Sequence, residues 1–591
     1  MATSTPPAPA SSAPGPGAGG DGGAGPAAPS ARRDLRGRLT REAGFNLGAL
    51  ALLGVLIAAP LLMVLLRALA PDGVFAPGEA VDTLTAGASV RIIWNTVVLG
   101  ALVCLGSTLF AAPLAFLMSM TDLRRHRWID IAVIIPFMTP PYINSIAWII
   151  FMRRRGYLEQ LVGEGVAGVL QDAFFTPVGM AMVMSFNLFP FLYLILRNSL
   201  DNIGASPDEA GAVHGGGFRY RLRRIIVPLL LSGYSMGILL VFIKSAGEFG
   251  TPITLGNRIG FIVLVSEIYQ NTSIFPIDFG AAAALSSVLM SIGIGAWFFQ
   301  QWFVSRRHDR ALSGRATRRA TIELGRWRPL AWSVVAVVFL LSIVIPYLTV
   351  FASAFTRLES AGVTFDNLTL LNFQLLFDAR SGALAALGNS FRFALIAATI
   401  TAIIGIMVAL LTVRRGGSGA RSVDFLALAP DMVPAIVVVV GLIFFWNAVW
   451  QPVPIYNTVW MLVLTYVVLY VPFSVQNVKA VYGQLGTSLF EAAQVAGGSW
   501  WFRTRRILLP LIAPGILAGW IMAFSISMRE LVGSLLVRPP NVEVLSTYIF
   551  REFEQGNRSL GMALTIVGVF TTTAVLIVTD QYRETLLSRR R

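Results

Sequence analysis

The sequence predicts an all-α polytopic membrane protein with about twelve transmembrane helices, built as two parallel six-helix repeats. Three observations predict it. The chain of 591 residues is 55% hydrophobic and 13% charged, whereas soluble domains carry roughly 25% charged residues, and single soluble cores stop growing near ~250–300 residues. Its apolar residues fall in long runs separated by basic segments, and a bilayer core of ~30 Å needs ~20 apolar residues per crossing. The second half of the chain also repeats the first at a nearly constant offset.

Residues 1–42 are expected to be a disordered basic tail, because an Ala/Pro/Gly/Ser-rich stretch ending in Arg32, Arg33, Arg36, Arg38 and Arg41 buries too little apolar area to offset ordering entropy. It lacks the basic start and apolar run of a secretory signal. The first membrane domain, 43–303, contains candidate spans at 44–66, 93–118, 130–151, 177–196, 226–247 and 280–303. A basic linker, 304–329, follows. The second domain, 330–580, has candidates at 330–354, 389–413, 424–448, 457–477, 510–529 and 559–579, before a basic tail at 581–591. Lys and Arg concentrate in every other connection, which sets one side as cytoplasmic, with both termini there. Arg153-Arg154-Arg155 contradicts this pattern by following the third span. Either that span is misplaced or these arginines meet something outside, such as an acidic face of a partner protein.

The net charge is +15, but the basic residues lie between apolar runs rather than on one water-facing patch, which excludes a nucleic-acid partner. Cys104 stands alone, and His126, His214 and His308 are far apart, so no metal site and no cofactor bound by this chain are expected.

Residues 209–228, EAGAVHGGGFRYRLRRIIVP, return at 491–510 as EAAQVAGGSWWFRTRRILLP. The offset of 282 (491 − 209) also carries Pro190 to Pro472, Gly233 to Gly515, Gly237 to Gly519 and Glu248 to Glu530. Upstream the offset is 294 (389 − 95), carrying Asn95 to Asn389, Pro136 to Pro430 and Pro140 to Pro434. The first half therefore holds 12 extra residues (294 − 282) between Pro140 and Pro190. Six is even, so both halves share one orientation.

Each copy of the repeated loop opens a short helix with an acidic residue at its favourable N-terminal end. Glycines then break that helix, and an arginine-rich helical stretch leads to a proline at the start of the next span. One reading is an amphipathic helix lying on lipid headgroups. Two copies with identical Glu–Gly–Ile–Pro spacing favour a docking element.

That spacing, E-A-A-x3-G-x9-I-x-L-P between the fourth and fifth spans, resembles the cytoplasmic signature of binding-protein-dependent ABC importer permeases. The first copy is Glu209-Ala210-Gly211, Gly215, Ile225 and Pro228, departing at Gly211 and Val227. The second is Glu491-Ala492-Ala493, Gly497, Ile507 and Pro510. The resemblance implies the type I ABC importer permease fold, in the bacterial inner membrane. It implies two copies of a cytoplasmic ATP-binding subunit, each seating one loop as a coupling helix and hydrolysing ATP, and an extracytoplasmic substrate-binding protein. Two fused halves are similar to the permeases of ferric-iron importers, with thiamine, aminoethylphosphonate or polyamine as alternative cargoes. A secondary transporter with 6+6 spans is the alternative class, but it has no reason to duplicate this loop. The chain's lysines, Lys244 and Lys479, are not in a Gly-Lys-Ser/Thr phosphate loop, so the sequence offers no ATPase site.

Charges inside a bilayer cost roughly 2.5–3.5 kcal/mol each on insertion scales and usually face an interior path. Lys244 and Glu248 have i,i+4 spacing, which places them on one helical face. Arg529 and Glu530 occupy the repeat-equivalent span, and Asp431 lies near Pro430 and Pro434. These five residues are the candidates for the pathway, with Glu248 and Glu530 near its outer end. The alternative is that each carboxylate neutralises its basic neighbour. Segments 250–279 and 538–558 are expected to be non-helical mouths of that path.

Overall fold

In hydrocarbon every backbone N–H and C=O needs an internal partner, so long apolar runs become helices. The computed structural model describes residues 44–71, 73–203, 210–305, 321–413, 418–449, 453–486 and 488–588. The expected tail 1–42, most of the linker, Glu209 and Arg589–Arg591 lie outside the described residues. In the first half the helices are α1 Gly44–Leu69, α2 Gly87–Met120, α3 Trp128–Met138, α4 Pro141–Met152, α5 Tyr157–Val162, α6 Glu164–Phe174, α7 Pro177–Asn202, α8 Phe218–Ala246, α9 Leu264–Ser273 and α10 Phe279–Trp302. In the second they are α11 Gly325–Phe355, α12 Ala383–Thr412, α13 Ser418–Met432, α14 Ala435–Ala448, α15 Val459–Gly483, α16 Trp500–Met528, α17 Leu545–Gln555 and α18 Arg558–Thr579.

Ten of these helices are long and apolar enough to cross a membrane. The expected third and ninth spans are instead bent pairs, α3/α4 by 91° and α13/α14 by 113°. Proline causes both bends. Pro140 and Pro434 sit just ahead of α4 and α14 with ψ of 132° and 137°, and each disfavours the helical region for the residue before it, Thr139 and Val433. Each bent pair still carries the chain from one end of the bundle to the other. Arg197 meets Asp130 at 3.2 Å and Arg124 meets Asp201 at 3.6 Å, so α2 and α7 finish at the same end and run in one direction. Lys479 bonded to Asp424 ties the start of α13 to the end of α15 in the same way.

The repeat offset is preserved in contacts as well as in residues. Asn95 donates to the Ile262 carbonyl at 2.9 Å, and Asn389 donates to the Glu543 carbonyl at 2.9 Å. Gly233 and Gly237 let α8 approach α7, and Gly515 and Gly519 let α16 approach α15, as small residues do where helices pack without a hydrophobic drive. The first helix of each half packs on the other half's bent pair: α1 on α14 and α11 on α4. At the first of these crossings a Cβ on Gly441 would sit 2.5 Å from the Pro60 carbonyl oxygen.

The 12 extra residues of the first half fall where that half builds α5 and α6, between the bent pair and α7. Segments 250–279 and 538–558 are largely helical, contrary to expectation, because they contain α9 and α17.

Candidate functional site

The two repeated loops fold alike. Gly215 and Gly497 take φ of +77° and +79°, a left-handed conformation that glycine adopts without steric cost. Gly215 N–H bonds to Ala212 at 3.0 Å and Gly216 N–H to Gly211 at 2.9 Å; Gly497 bonds to Gln494 at 3.0 Å and Gly498 to Ala493 at 2.9 Å. This paired pattern is a Schellman cap. The chain then enters α8 and α16 directly, through π-helical turns at Leu222–Ile226 and Arg503–Leu508. The arginine-rich stretch is thus the first turns of the span, which starts about two helical turns earlier than its hydropathy suggests.

The loops present matched surfaces. Ala210, Gly215, Pro228, Glu491, Ala492 and Gly497 are exposed, while Gly211, Ile225, Ala493, Ile507 and Pro510 are half-buried. Ile225 lies against Gly211, where a Cβ would come within 2.6 Å of its Cδ1. Val213 and Val495, at equivalent positions, are 84% and 89% exposed.

At the other ends of α8 and α16 the two halves meet around a cavity of about 490 Å³ lined by all five pathway candidates. Their pairing differs from the expectation. α8 ends at Ala246, so Lys244 and Glu248 do not share a helical face. Lys244 Nζ instead reaches across to Asp431 at 2.9 Å. Arg529 Nη1 donates to the carbonyls of Met138 and Phe137 and its guanidinium lies 5.9 Å from the Phe137 ring centroid. Each cation therefore meets the C-terminal turn of the opposite half's first bent helix, where unpaired carbonyls attract positive charge. The carboxylates cap backbone. Glu248 accepts from Thr251 N–H at 3.1 Å, and Glu530 accepts from Gly533 N–H and Ser534 N–H at 3.0 Å. Neither glutamate neutralises its basic neighbour.

A family model described as "Binding-protein-dependent transport system inner membrane component" matches residues 109–309 and again 401–591. The chain belongs to this family. The permease is 28% identical over 483 residues, 80% of its own chain and 74% of the relative's, to a putative ferric transport system permease protein of Haemophilus influenzae. It is 27% identical over 520 residues, 86% of its chain and 73% of the relative's, to a ferric transport system permease protein of Actinobacillus pleuropneumoniae. A putative 2-aminoethylphosphonate transport system permease protein of Salmonella typhimurium is 25% identical over 260 residues, 44% of the permease but 96% of that relative. The last is the length of one half.

The arginine triplet of the permease sits at the end of the bundle opposite the repeated loops. Arg153 is not free to reach outward, because it meets Glu359 at 2.8 Å, and Arg558 approaches the same carboxylate at 3.8 Å. Arg154 and Arg155 are exposed. Burial, together with nearby Arg558 and Arg153, lowers the Arg258 guanidinium from its ordinary pKa.

Sequence reasoning missed Tyr142 and Asn187, which line the cavity and are 2% and 5% exposed. The signal available was the repeat itself: the equivalent positions are Ile436 and Leu469. Among the described residues, no three His, Cys, Asp or Glu side chains converge in a geometry able to hold a metal ion.

Proposed function

We propose that the permease forms the membrane path of an ATP-driven ferric-iron importer. It has no ATPase site of its own and binds no cofactor. Glu209 and Glu491 head two cytoplasmic coupling helices, each seated in one of two copies of an ATP-binding subunit. A substrate-binding protein delivers cargo to the opposite face, and both termini are cytoplasmic. Lys244, Glu248, Asp431, Arg529 and Glu530 line the path. The observation that carries the coupling is the pair of matched loops, each continuous with a rod that ends at the cavity. α8 and α16 have 29 residues each, about 43 Å at 1.5 Å per residue. Closing the ATP-binding subunits pushes on the loops. The rods then shift Lys244 and Arg529 against the bent pairs, opening the cavity to alternate sides.

Iron as cargo rests on the two ferric relatives, which match most of the chain. The aminoethylphosphonate relative, which matches one half nearly end to end, supports the second reading. The test is reconstitution in proteoliposomes with the ATP-binding subunit and the binding protein. Ferric-loaded binding protein is expected to stimulate ATP hydrolysis and iron accumulation. Stimulation by aminoethylphosphonate alone would replace the cargo, and stimulation by neither would overturn the assignment to both.

A further inference from the structure

A second cavity lies beside the first, between the bent pair α3/α4 of one half and α11, α16 and α18 of the other. Its volume is about 450 Å³. Phe137, Thr139, Ile526 and Arg529 line both spaces, so a shared wall divides the central cavity from this crevice. The side chains with most surface open in the crevice are apolar: Met138, Phe351, Val569 and Phe570 line it and are exposed. Its polar atoms are largely turned away. Tyr347 and Thr139 bond to each other, and Thr572 donates to the Gly568 carbonyl at 2.8 Å. The Ser525 hydroxyl and the Asn144 amide nitrogen are buried out of reach.

The walls and the mouth select the occupant. Apolar cavities of about 150 Å³ stay dry and take up a hydrocarbon the size of benzene. A dry space about three times as large would leave its walls without contacts if nothing entered. Arg529 is the one charged side chain among the described lining residues, and it is directed at the Met138 and Phe137 carbonyls, which disfavours an ionic solute. Phe351 belongs to α11 and Val569 and Phe570 to α18, both long and apolar enough to cross a membrane. Leu348, Ile577 and Val578 continue the exposed apolar surface on the same helices. The crevice therefore opens on the hydrocarbon of the bilayer, where no water competes for it.

We infer that this crevice binds one acyl chain of a membrane phospholipid, packed against Phe137 and Met138 so that it backs the wall receiving Arg529. The inference does not depend on which cargo the permease carries.

Its test counts phospholipids by native mass spectrometry on the full-length permease purified from its membrane. The parent is expected to retain one phospholipid through detergent exchange. Val569→Trp on α18 and Ile521→Trp on α16 fill the crevice from two walls, and each is expected to lower that occupancy by at least about five-fold, because an overfilled site has no room for the chain. Leu109→Trp, at a 68% exposed position of α2 that lines neither cavity, is the control and is expected to change nothing. Equal occupancy in the parent and both crevice variants overturns the inference, as does an equal loss in the control or a parent that retains no phospholipid. A peptide or cargo molecule retained in place of lipid also overturns it. If one crevice variant fails to fold, the other decides. If both fail, the parent decides: in liposomes, a phospholipid with a photoreactive group in its acyl chain is expected to label Met138 and Phe351 well above Leu109, and equal labelling overturns the inference.

Discussion

The two repeated loops and the two sides of the central cavity come from the same duplication, yet they have diverged differently. The loops have kept one backbone: the same left-handed glycine, the same pair of capping hydrogen bonds, the same π-helical turn and the same exposed valine. The cavity has kept its carboxylate caps, Glu248 and Glu530, with Pro140/Pro434 and Phe191/Phe473, but not its other charges. Lys244 faces Ile526 across the repeat, Gly247 faces Arg529, and Phe137 faces Asp431. The difference teaches what each region meets. Two matched surfaces suit the proposed pair of ATP-binding subunits. A space on the axis can draw its charges from either half, so the individual positions there are free to differ.

The largest expected effect breaks the loop symmetry. Glu209→Arg combined with Glu491→Arg should abolish recruitment of the ATP-binding subunit, at least about a thousand-fold loss if each site contributes the ~2–5 kcal/mol typical of a lost interfacial charge contact. Co-purification and stimulated ATP hydrolysis measure it, and normal behaviour of the double variant would remove the coupling role. Next come Gly215→Val and Gly497→Val, which force a β-branched residue into the left-handed region at about 1–2 kcal/mol or more. Coupling should fall by about ten-fold in each, and the two losses should match; a silent variant in one loop would mean that the partners are not equivalent.

Smaller effects sharpen the cavity side. The Lys244–Asp431 pair is partly open, with side chains 34% and 39% exposed, so its coupling in a double-mutant cycle should be about 1 kcal/mol or less. Lys244→Ala/Asp431→Ala is expected to transport better than either single variant, since each single leaves a charge unpaired. The smallest change is at the repeated asparagines. Asn95→Ala and Asn389→Ala each remove one side chain-to-carbonyl bond, and thermal unfolding in detergent should report equal losses of about 1 kcal/mol.

The helices and the duplication were legible in the sequence because both are carried by local pattern: an apolar run long enough to cross, and Glu–Gly–Ile–Pro at fixed spacing. The bends at Pro140 and Pro434 were not, since two short helices plus a break have the length and hydropathy of one ordinary span. The expectation of a Lys244–Glu248 face failed because α8 stops at Ala246, between the two residues. The partner of Lys244 lies 187 residues away in the other half, a distance that no local pattern reports. Asn187 is a lone amide in an apolar run, and only its lack of a partner in three dimensions sets it apart.

The crossed packing of α1 on α14 and of α11 on α4 has one further consequence. Each bundle grips its sibling with its own leading helix, so the covalent tether is dispensable for holding the pair. A permease severed by a protease within 306–320 should therefore stay together as two fragments through gel filtration. A pair of separately translated half-length chains could clasp in the same manner.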